Sequence, residues 1–280
     1  MKLYKLTSGI LLEQNGEFFK LNSSDWDAVV NQENLHQYLQ DEVKNASSVS
    51  KEEGEKLLSS ELLAPISQQE VWASGVTYFR SRVARMEESK DAGGGDFYDR
   101  VYDAERPELF FKATPARTVG SGGKVNIRQD STWDVPEPEL TLFVNSRGKI
   151  QGYTVGNDMS SRSIEGENPL YLPQAKTYDK CAGIGPCLYV PGSPLPQETE
   201  INLEIKRNGE TQFNESIAIS QMKRKHDELV GFLFRETSFE HGAYLMTGTG
   251  IVPPNEFTLK SGDEIRITIG SIGTLVNFVS

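Results

Sequence analysis

Apolar and polar positions alternate loosely over residues 3–21, and Asn15-Gly16 separates Ile10-Leu11-Leu12 from Phe18-Phe19, the signature of a tight hairpin turn. Residues 25–62 are polar, with Val29, Leu35, Leu39 and Val43 widely spaced; Leu57, Leu58, Leu62 and Leu63 predict a short helix before a boundary at Ala64-Pro65-Ile66. The pattern changes from Val71. Residues 71–78 read as a buried strand opening into a loop, 79–90 have helical spacing with many charges, and Gly93-Gly94-Gly95 marks a mobile loop suited to a lid. A strand is predicted at 107–112. Beyond it, short strands at 124–128, 139–144, 150–155, 201–206 and 264–269 are separated by Gly, Pro, Asn and Asp. One helix is expected at 222–236, with Leu229, Val230, Leu233 and Phe234 as its apolar stripe. The predicted class is α+β, rich in β, with a closed or rolled sheet because many short strands need their edges covered. Residues 1–65 read as a small N-terminal domain and 66–280 as the main one.

Composition narrows the function. A chain of 280 residues suits one large domain with a small appendage. Acids number 40 and bases 29, a formal charge of −11, which disfavours nucleic acid or an anionic membrane as partner. The two cysteines, Cys181 and Cys187, are too few for a disulfide framework or a cysteine zinc site. Met1-Lys2-Leu3-Tyr4-Lys5-Leu6 lacks the apolar core of a signal peptide and no apolar run approaches ~20 residues, so a soluble, cytoplasmic protein is expected.

Candidate chemistry concentrates between Val135 and Val144. Alternation in a strand puts Glu137, Glu139, Thr141 and Phe143 on one face and Pro138, Leu140, Leu142 and Val144 on the other. Two carboxylates about 7 Å apart on one face repel unless compensated. Water on an exposed strand would serve; a divalent cation would serve better. Residues 145–149 form a compact hairpin connection, and the return strand through Ile150–Val155 leads to Asp158, which antiparallel pairing can bring beside Glu137 and Glu139. Three carboxylates without histidine suit Mg²⁺, Mn²⁺ or Ca²⁺ over zinc. Residues 165–176 carry many turn formers and read as a loop closing over a site. Within it, Lys176 is either a snorkelling surface lysine or a cation that holds a substrate carboxylate or stabilises an enolate.

The motifs, in order and spacing, resemble the fumarylacetoacetate hydrolase superfamily. They are Glu137-x-Glu139; Gly152-Tyr153-Thr154-Val155-Gly156-Asn157-Asp158-Met159-Ser160-Ser161-Arg162; Ala175-Lys176-Thr177-Tyr178-Asp179; Gly183-Ile184-Gly185-Pro186; Leu245-Met246-Thr247-Gly248-Thr249-Gly250; and Lys260-Ser261-Gly262-Asp263-Glu264-Ile265. The resemblance covers roughly residues 70–280. It implies a rolled, mixed β fold around a divalent metal, with ligands at Glu137, Glu139 and Asp158 and an active-site lysine at Lys176. Ser163 follows Arg162 where the family commonly has Asp, so no role is carried to this position.

A narrower resemblance, through residues 71–78, Arg80-x-Arg82, Arg106-Pro107-Glu108-Leu109-Phe110-Phe111-Lys112 and Glu167-Asn168-Pro169-Leu170-Tyr171-Leu172-Pro173-Gln174-Ala175-Lys176, is to the sugar-acid branch of that family. It implies a Mg²⁺-dependent dehydratase, a hydro-lyase, acting on 2-keto-3-deoxy sugar acids of the arabinonate type through a stabilised enolate. The hydrolase branch carries a histidine after its G-x-N-Y run. Here Tyr78 is followed by Phe79-Arg80-Ser81-Arg82, and His36, His226 and His241 lie outside the candidate loops. Glu108 is the candidate for proton transfer, or else a structural partner of Arg106 or Lys112. Arg80, Arg82, Arg85, Lys112 and Thr249 are candidates for substrate binding. The resemblance also implies a homodimer or a dimer of dimers. Alternatives are a C–C hydrolase, or a decarboxylase or tautomerase of a 2-oxo (di)carboxylate, in the same superfamily, and a Ca²⁺-stabilised binding domain without catalysis.

Overall fold

The described residues of this computed structural model are 1–88 and 95–280. Its central element is one long hairpin. Strands Asp134–Val144 and Ile150–Ser161 pair antiparallel from Val144 opposite Ile150 to Asp134 opposite Ser161, so both outlast the strands expected from sequence. Asn145 closes the turn: its side-chain oxygen accepts from the Arg147 and Lys149 amides. Every residue of the first strand is buried, because each face meets its own layer. Leu140, Leu142 and Val144 pack with Ile201, Leu203, Ile205, Ile265 and Ile267. Phe143, on the opposite face, packs with Tyr244, Leu35 and Leu39. The period of two therefore sorts one strand into two cores and leaves the Glu137 end of the second face for the site.

The hairpin lies inside an 11-stranded mixed sheet. On one side it continues through Ala182–Tyr189 to the N-terminal strands Lys2–Leu6, Gly9–Gln14, Glu17–Lys20 and Ser47–Val49. On the other it continues through Ala243–Met246 and Glu70–Gly75, which pair in parallel, to Glu108–Ala113. A five-stranded sheet of Glu210–Ala218, Glu200–Arg207, Glu264–Ile269, Gly273–Val279 and Lys124–Val125 shares the first core. The β-rich, α+β class and the mixed sheet agree with expectation.

The leading segment forms the expected hairpin, with Asn15 and Gly16 both at positive φ (53° and 83°) as a tight primed turn requires. Helices Trp26–Val30, Leu35–Val43 and Lys51–Glu61 start at Asp25, Asn34 and Ser50, whose side chains accept amides of the first turn. Lys2 and Leu3 pair with Tyr189 and Leu188, so the sheet runs unbroken across the two segments.

Three local expectations change. The helix placed at 222–236 is shorter, His226–Leu233, because Met222 bridges to Tyr78 and the Lys223 amide donates to Thr77 O. The strand at 124–128 stops at Val125, since the Asn126 amide turns to Lys180 O. The loop over 165–176 is instead a run of short helical turns, Arg162–Glu167, Pro169–Tyr171 and Leu172–Lys176. Pro169 and Pro173 sit at the starts of their turns, where a missing N–H costs nothing. Gly93 and Gly94 of the proposed lid lie outside the described residues.

Candidate active site

Register alone assembles the acidic centre. Asp158 stands directly opposite Glu137 in the hairpin, and Gly156, which has no side chain to intrude, stands opposite Glu139. One oxygen from each of Glu137, Glu139 and Asp158 lies within 4.8 Å of the others. All three side chains are buried, which removes the solvated-face alternative. They line a cavity of about 10 Å³, ion- or water-sized, with Ser74, Gly75, Val76, Ser81, Phe110, Arg162, Gly248 and Thr249.

Lys176, delivered by the last turn of Leu172–Lys176, is fully buried. Its ammonium donates to Glu137 Oε2 at 2.6 Å and Asp158 Oδ2 at 3.0 Å, and lies 4.0 Å from Glu165 Oε1. A snorkelling surface lysine is thereby excluded. Lys112 is also fully buried; its ammonium stands on the other oxygen of Asp158, 2.7 Å from Oδ1, and neither lysine lines the cavity itself. The structure makes it a partner of a carboxylate where the sequence suggested a contact to substrate.

Two charged residues went unassigned in the sequence. Arg162 donates to Glu137 Oε1 at 2.9 Å, and Glu165 accepts from Ser160 Oγ at 2.9 Å. Both sit on the helix Arg162–Glu167, capped by Ser161. Ser163, the departure from the family pattern, faces away into hydroxyl contacts with Ser131 and Ser161.

The remaining candidates separate. Thr249 lines the cavity, and its hydroxyl exchanges hydrogen bonds with Ile251. Gly248 has φ +96°, and its amide donates to Glu139 Oε2 at 2.6 Å; a side chain there would meet Thr77 Oγ1 at 2.1 Å. Glu108 is half-buried opposite Gly75 in the strand pair, and its carboxyl lies over that glycine, which lines the cavity. Arg80 is exposed and donates to Val252 O, while Arg82 donates to Asp99 and lies over the rings of Phe79 and Tyr102. Neither arginine lines the cavity. The side chain of Arg85 lies outside the described residues. His36 and His226 line a separate cleft of about 500 Å³ at the far end of the hairpin, and His241 serves through its backbone carbonyl, which accepts from Gln69.

The electrostatics identify what the centre lacks. Burial first, then the charges of Asp158 and Glu137, push the Glu139 carboxyl well above the ordinary carboxylate range, against the opposing pull of Lys176. Burial would also raise Asp158, but the charges of Lys112 and then Lys176, with their hydrogen bonds, together hold it below its ordinary value. One cluster thus holds a carboxylate whose surroundings favour its ionised form beside a carboxylate that resists ionising. Among the described residues, Glu137, Glu139, Asp158 and Glu165 stand with Lys112, Lys176 and Arg162 around this centre. A hard dication among the three oxygen ligands would answer that repulsion, and the all-oxygen donor set fits Mg²⁺.

Known proteins resemble this chain over most of its length. Residues 71–280 match the family model of the fumarylacetoacetate (FAA) hydrolase C-terminal domain. A probable 2-keto-3-deoxyxylonate dehydratase of Haloferax volcanii is 52% identical over 217 residues, 77% of this chain and 74% of that protein. The 2-dehydro-3-deoxy-D-arabinonate dehydratase of Saccharolobus solfataricus is 44% identical over 214 residues, 76% of this chain and 72% of that protein. Among solved structures, a 2-keto-3-deoxy-D-arabinonate dehydratase complexed with magnesium and 2,5-dioxopentanoate superposes with a TM-score of 0.85 at 36% identity, over 100% of this chain and 99% of that one.

Proposed function

The chain belongs to the fumarylacetoacetate hydrolase family, and from that membership we propose that it is a Mg²⁺-dependent hydro-lyase that dehydrates 2-keto-3-deoxy sugar acids of the arabinonate type. The observation that carries this reading is the buried oxygen triad of Glu137, Glu139 and Asp158, with the Lys176 ammonium on two of its members. The relatives that share the chain's sequence are named for 2-keto-3-deoxy sugar acids.

In this reading Glu137, Glu139 and Asp158 hold the metal. When bound, the dication withdraws charge from the 2-oxo group and acidifies the C3 hydrogens. Lys176 sets its ammonium against the negative charge that develops on the substrate. Glu108 takes the C3 proton, the C4 hydroxyl leaves with a proton returned to it, and one molecule of water is lost. Thr249 and the Gly248 turn would bound the space the substrate enters. Substrate roles for Arg80 and Arg82 would require their present partners, Val252 O and Asp99, to be given up. Residues 66–280 would form the catalytic part, consistent with a family match that begins at residue 71. A homodimer or dimer of dimers in the cytoplasm belongs to the same reading; exposed Leu170 and Phe79 are consistent with such contacts, and no helix among the described residues is long and apolar enough to cross a membrane.

The deciding experiment incubates the protein with 2-keto-3-deoxy-pentonates and hexonates and Mg²⁺, and follows products by mass. A single product lighter by one water with the carbon count intact is expected. Two fragments, or loss of carbon dioxide, would replace this reading with hydrolysis or decarboxylation.

The Glu108 assignment has its own test. A Cβ at position 75 would lie 2.0 Å from Glu108 Oε2, the movable end of a side chain and not backbone. Gly75→Ala should therefore displace the carboxyl at little cost to stability. Turnover is expected to fall about 10²-fold, with Tm unchanged within about 2 °C. Full turnover in a folded Gly75→Ala protein would remove Glu108 from the chemistry.

A further inference from the structure

Among the described residues, Lys112 is one of the largest side chains with no exposure at all. Its ammonium stands 2.7 Å from Asp158 Oδ1, donates to Met159 O at 2.8 Å and donates to Lys176 O. Two carbonyls thus take hydrogen bonds from the ammonium, and Asp158 Oδ1 is held beside it as an ion pair. The ring of Tyr178 lies 5.7 Å from the same nitrogen. All of these partners are protein groups, and the ammonium is fully buried among them.

The two carbonyls and Asp158 come from two elements. Asp158 and Met159 are consecutive in the strand Ile150–Ser161, whereas Lys176 ends the helix Leu172–Lys176. Lys112 itself comes from a third, the strand Glu108–Ala113. We infer that Lys112 is a positioning residue: a fixed cation on Oδ1 of Asp158 that holds this carboxylate in one orientation and ties down the carbonyl end of the helix that delivers Lys176. The terminal torsion of an aspartate is soft, so an anchor on Oδ1 decides where Oδ2 points, here toward Lys176. A positive charge on the carbonyl end of a helix is also favourable. One side chain thereby sets the relative placement of a metal ligand and the active-site lysine, where a shift of about 1 Å can cost about 10²-fold in rate. This inference rests on the metal-dependent reading above.

The test titrates wild type, Lys112→Gln and Lys112→Met with Mn²⁺ alone, read by the electron paramagnetic resonance of the free aqueous ion, and then measures kcat and KM with Mg²⁺. Gln keeps two donors without the charge; Met keeps the bulk without donors. Both variants remove a positive charge near the carboxylates, so electrostatics alone would tighten Mn²⁺ binding. Positioning predicts the reverse: affinity weaker by about 10- to 100-fold, more for Met than for Gln, with kcat reduced and substrate KM within about twofold of wild type. Unchanged or tighter Mn²⁺ binding overturns the inference, as does a defect confined to substrate KM. If neither variant gives a cooperative melt even with Mn²⁺, Lys112 is a scaffold residue and the inference is overturned as well. A wild type that binds no Mn²⁺ removes the metal reading itself and takes the inference with it, a failure visible without any variant.

Discussion

Glu139→Gln is expected to lose about a thousandfold in turnover at saturating Mg²⁺ while the metal-free protein gains stability at neutral pH. The loss follows from removing a charged oxygen ligand, worth several kcal/mol of charge stabilisation in the reaction, at 1.36 kcal/mol per tenfold. The gain follows from the carboxyl's raised pKa. Burial, then Asp158 and Glu137, make the ionised form costly in the fold. The unfolded chain releases this proton near the ordinary value of 4.5, the folded one only at higher pH. Between those points the native state binds more protons, so stability falls as pH rises, and it levels off once the folded carboxyl has ionised. Asp158 runs the other way: its contribution is present above 3.8 and is lost as pH falls through its depressed folded value. Above about pH 5 Asp158 no longer changes, and groups common to both proteins, His226 and Asp134 among them, cancel when wild type is compared with the variant. A glutamine at 139 keeps an oxygen to accept the Gly248 amide and offers an NH₂ to the neighbouring acids. In EDTA the wild-type Tm should therefore decline from about pH 5 toward neutrality relative to the variant, and Mg²⁺ should reverse the order. Parallel Tm profiles in EDTA would refute the strained carboxyl; retained metal-dependent turnover would refute the ligand.

What the sequence could reveal of this site depended on how local the determining contacts are. Glu137, Glu139 and Asp158 were legible because strand alternation and one five-residue hairpin turn fix their proximity within a single supersecondary unit. The fate of Lys112 was not. A lysine in the apolar strand Pro107-Glu108-Leu109-Phe110-Phe111-Lys112 is compatible with a surface, a substrate or a buried partner, and Asp158, Met159 O and Lys176 O lie 46 to 64 residues away. Arg162 and Glu165 share that difficulty, since Glu137 precedes Arg162 by 25 residues. Arg80 and Arg82 illustrate another gap. The helix Phe79–Glu88 was predicted, but helical spacing does not tell which face turns to the cavity when the charges lie all around. In the N-terminal segment, Leu35 and Leu39 supply the whole buried edge of their helix, too sparse a stripe to register, although the Asn34 cap was there to be read. The turns after Arg162 were concealed by prolines that begin helical turns as readily as they end them.

Lys176→Met is expected to reduce kcat about 10²- to 10³-fold, the range for removing one preorganised donor from a developing oxyanion, and to make the fold depend on metal. The ammonium is the shared partner of Glu137 and Asp158 in a region without solvent. Removing one member of a buried ion pair costs about 3–5 kcal/mol because the other charges stay behind. The variant's Tm should thus fall steeply in EDTA. A dication added to the same carboxylates replaces the missing charge, so Mg²⁺ should restore much of the Tm, and Mn²⁺ should bind more tightly than to wild type because a competing cation is gone. Lys112 and Lys176 are both lysines on Asp158, yet their removal is expected to move metal affinity in opposite directions, since one holds the ligand by Oδ1 and the other bridges Glu137 and Asp158. The Mg²⁺-restored Lys176→Met protein separates scaffold from chemistry: it should be folded, loaded and still slow. Recovery of kcat together with Tm would mean that Lys176 serves only to neutralise the cluster, and the charge on the substrate would then need another partner.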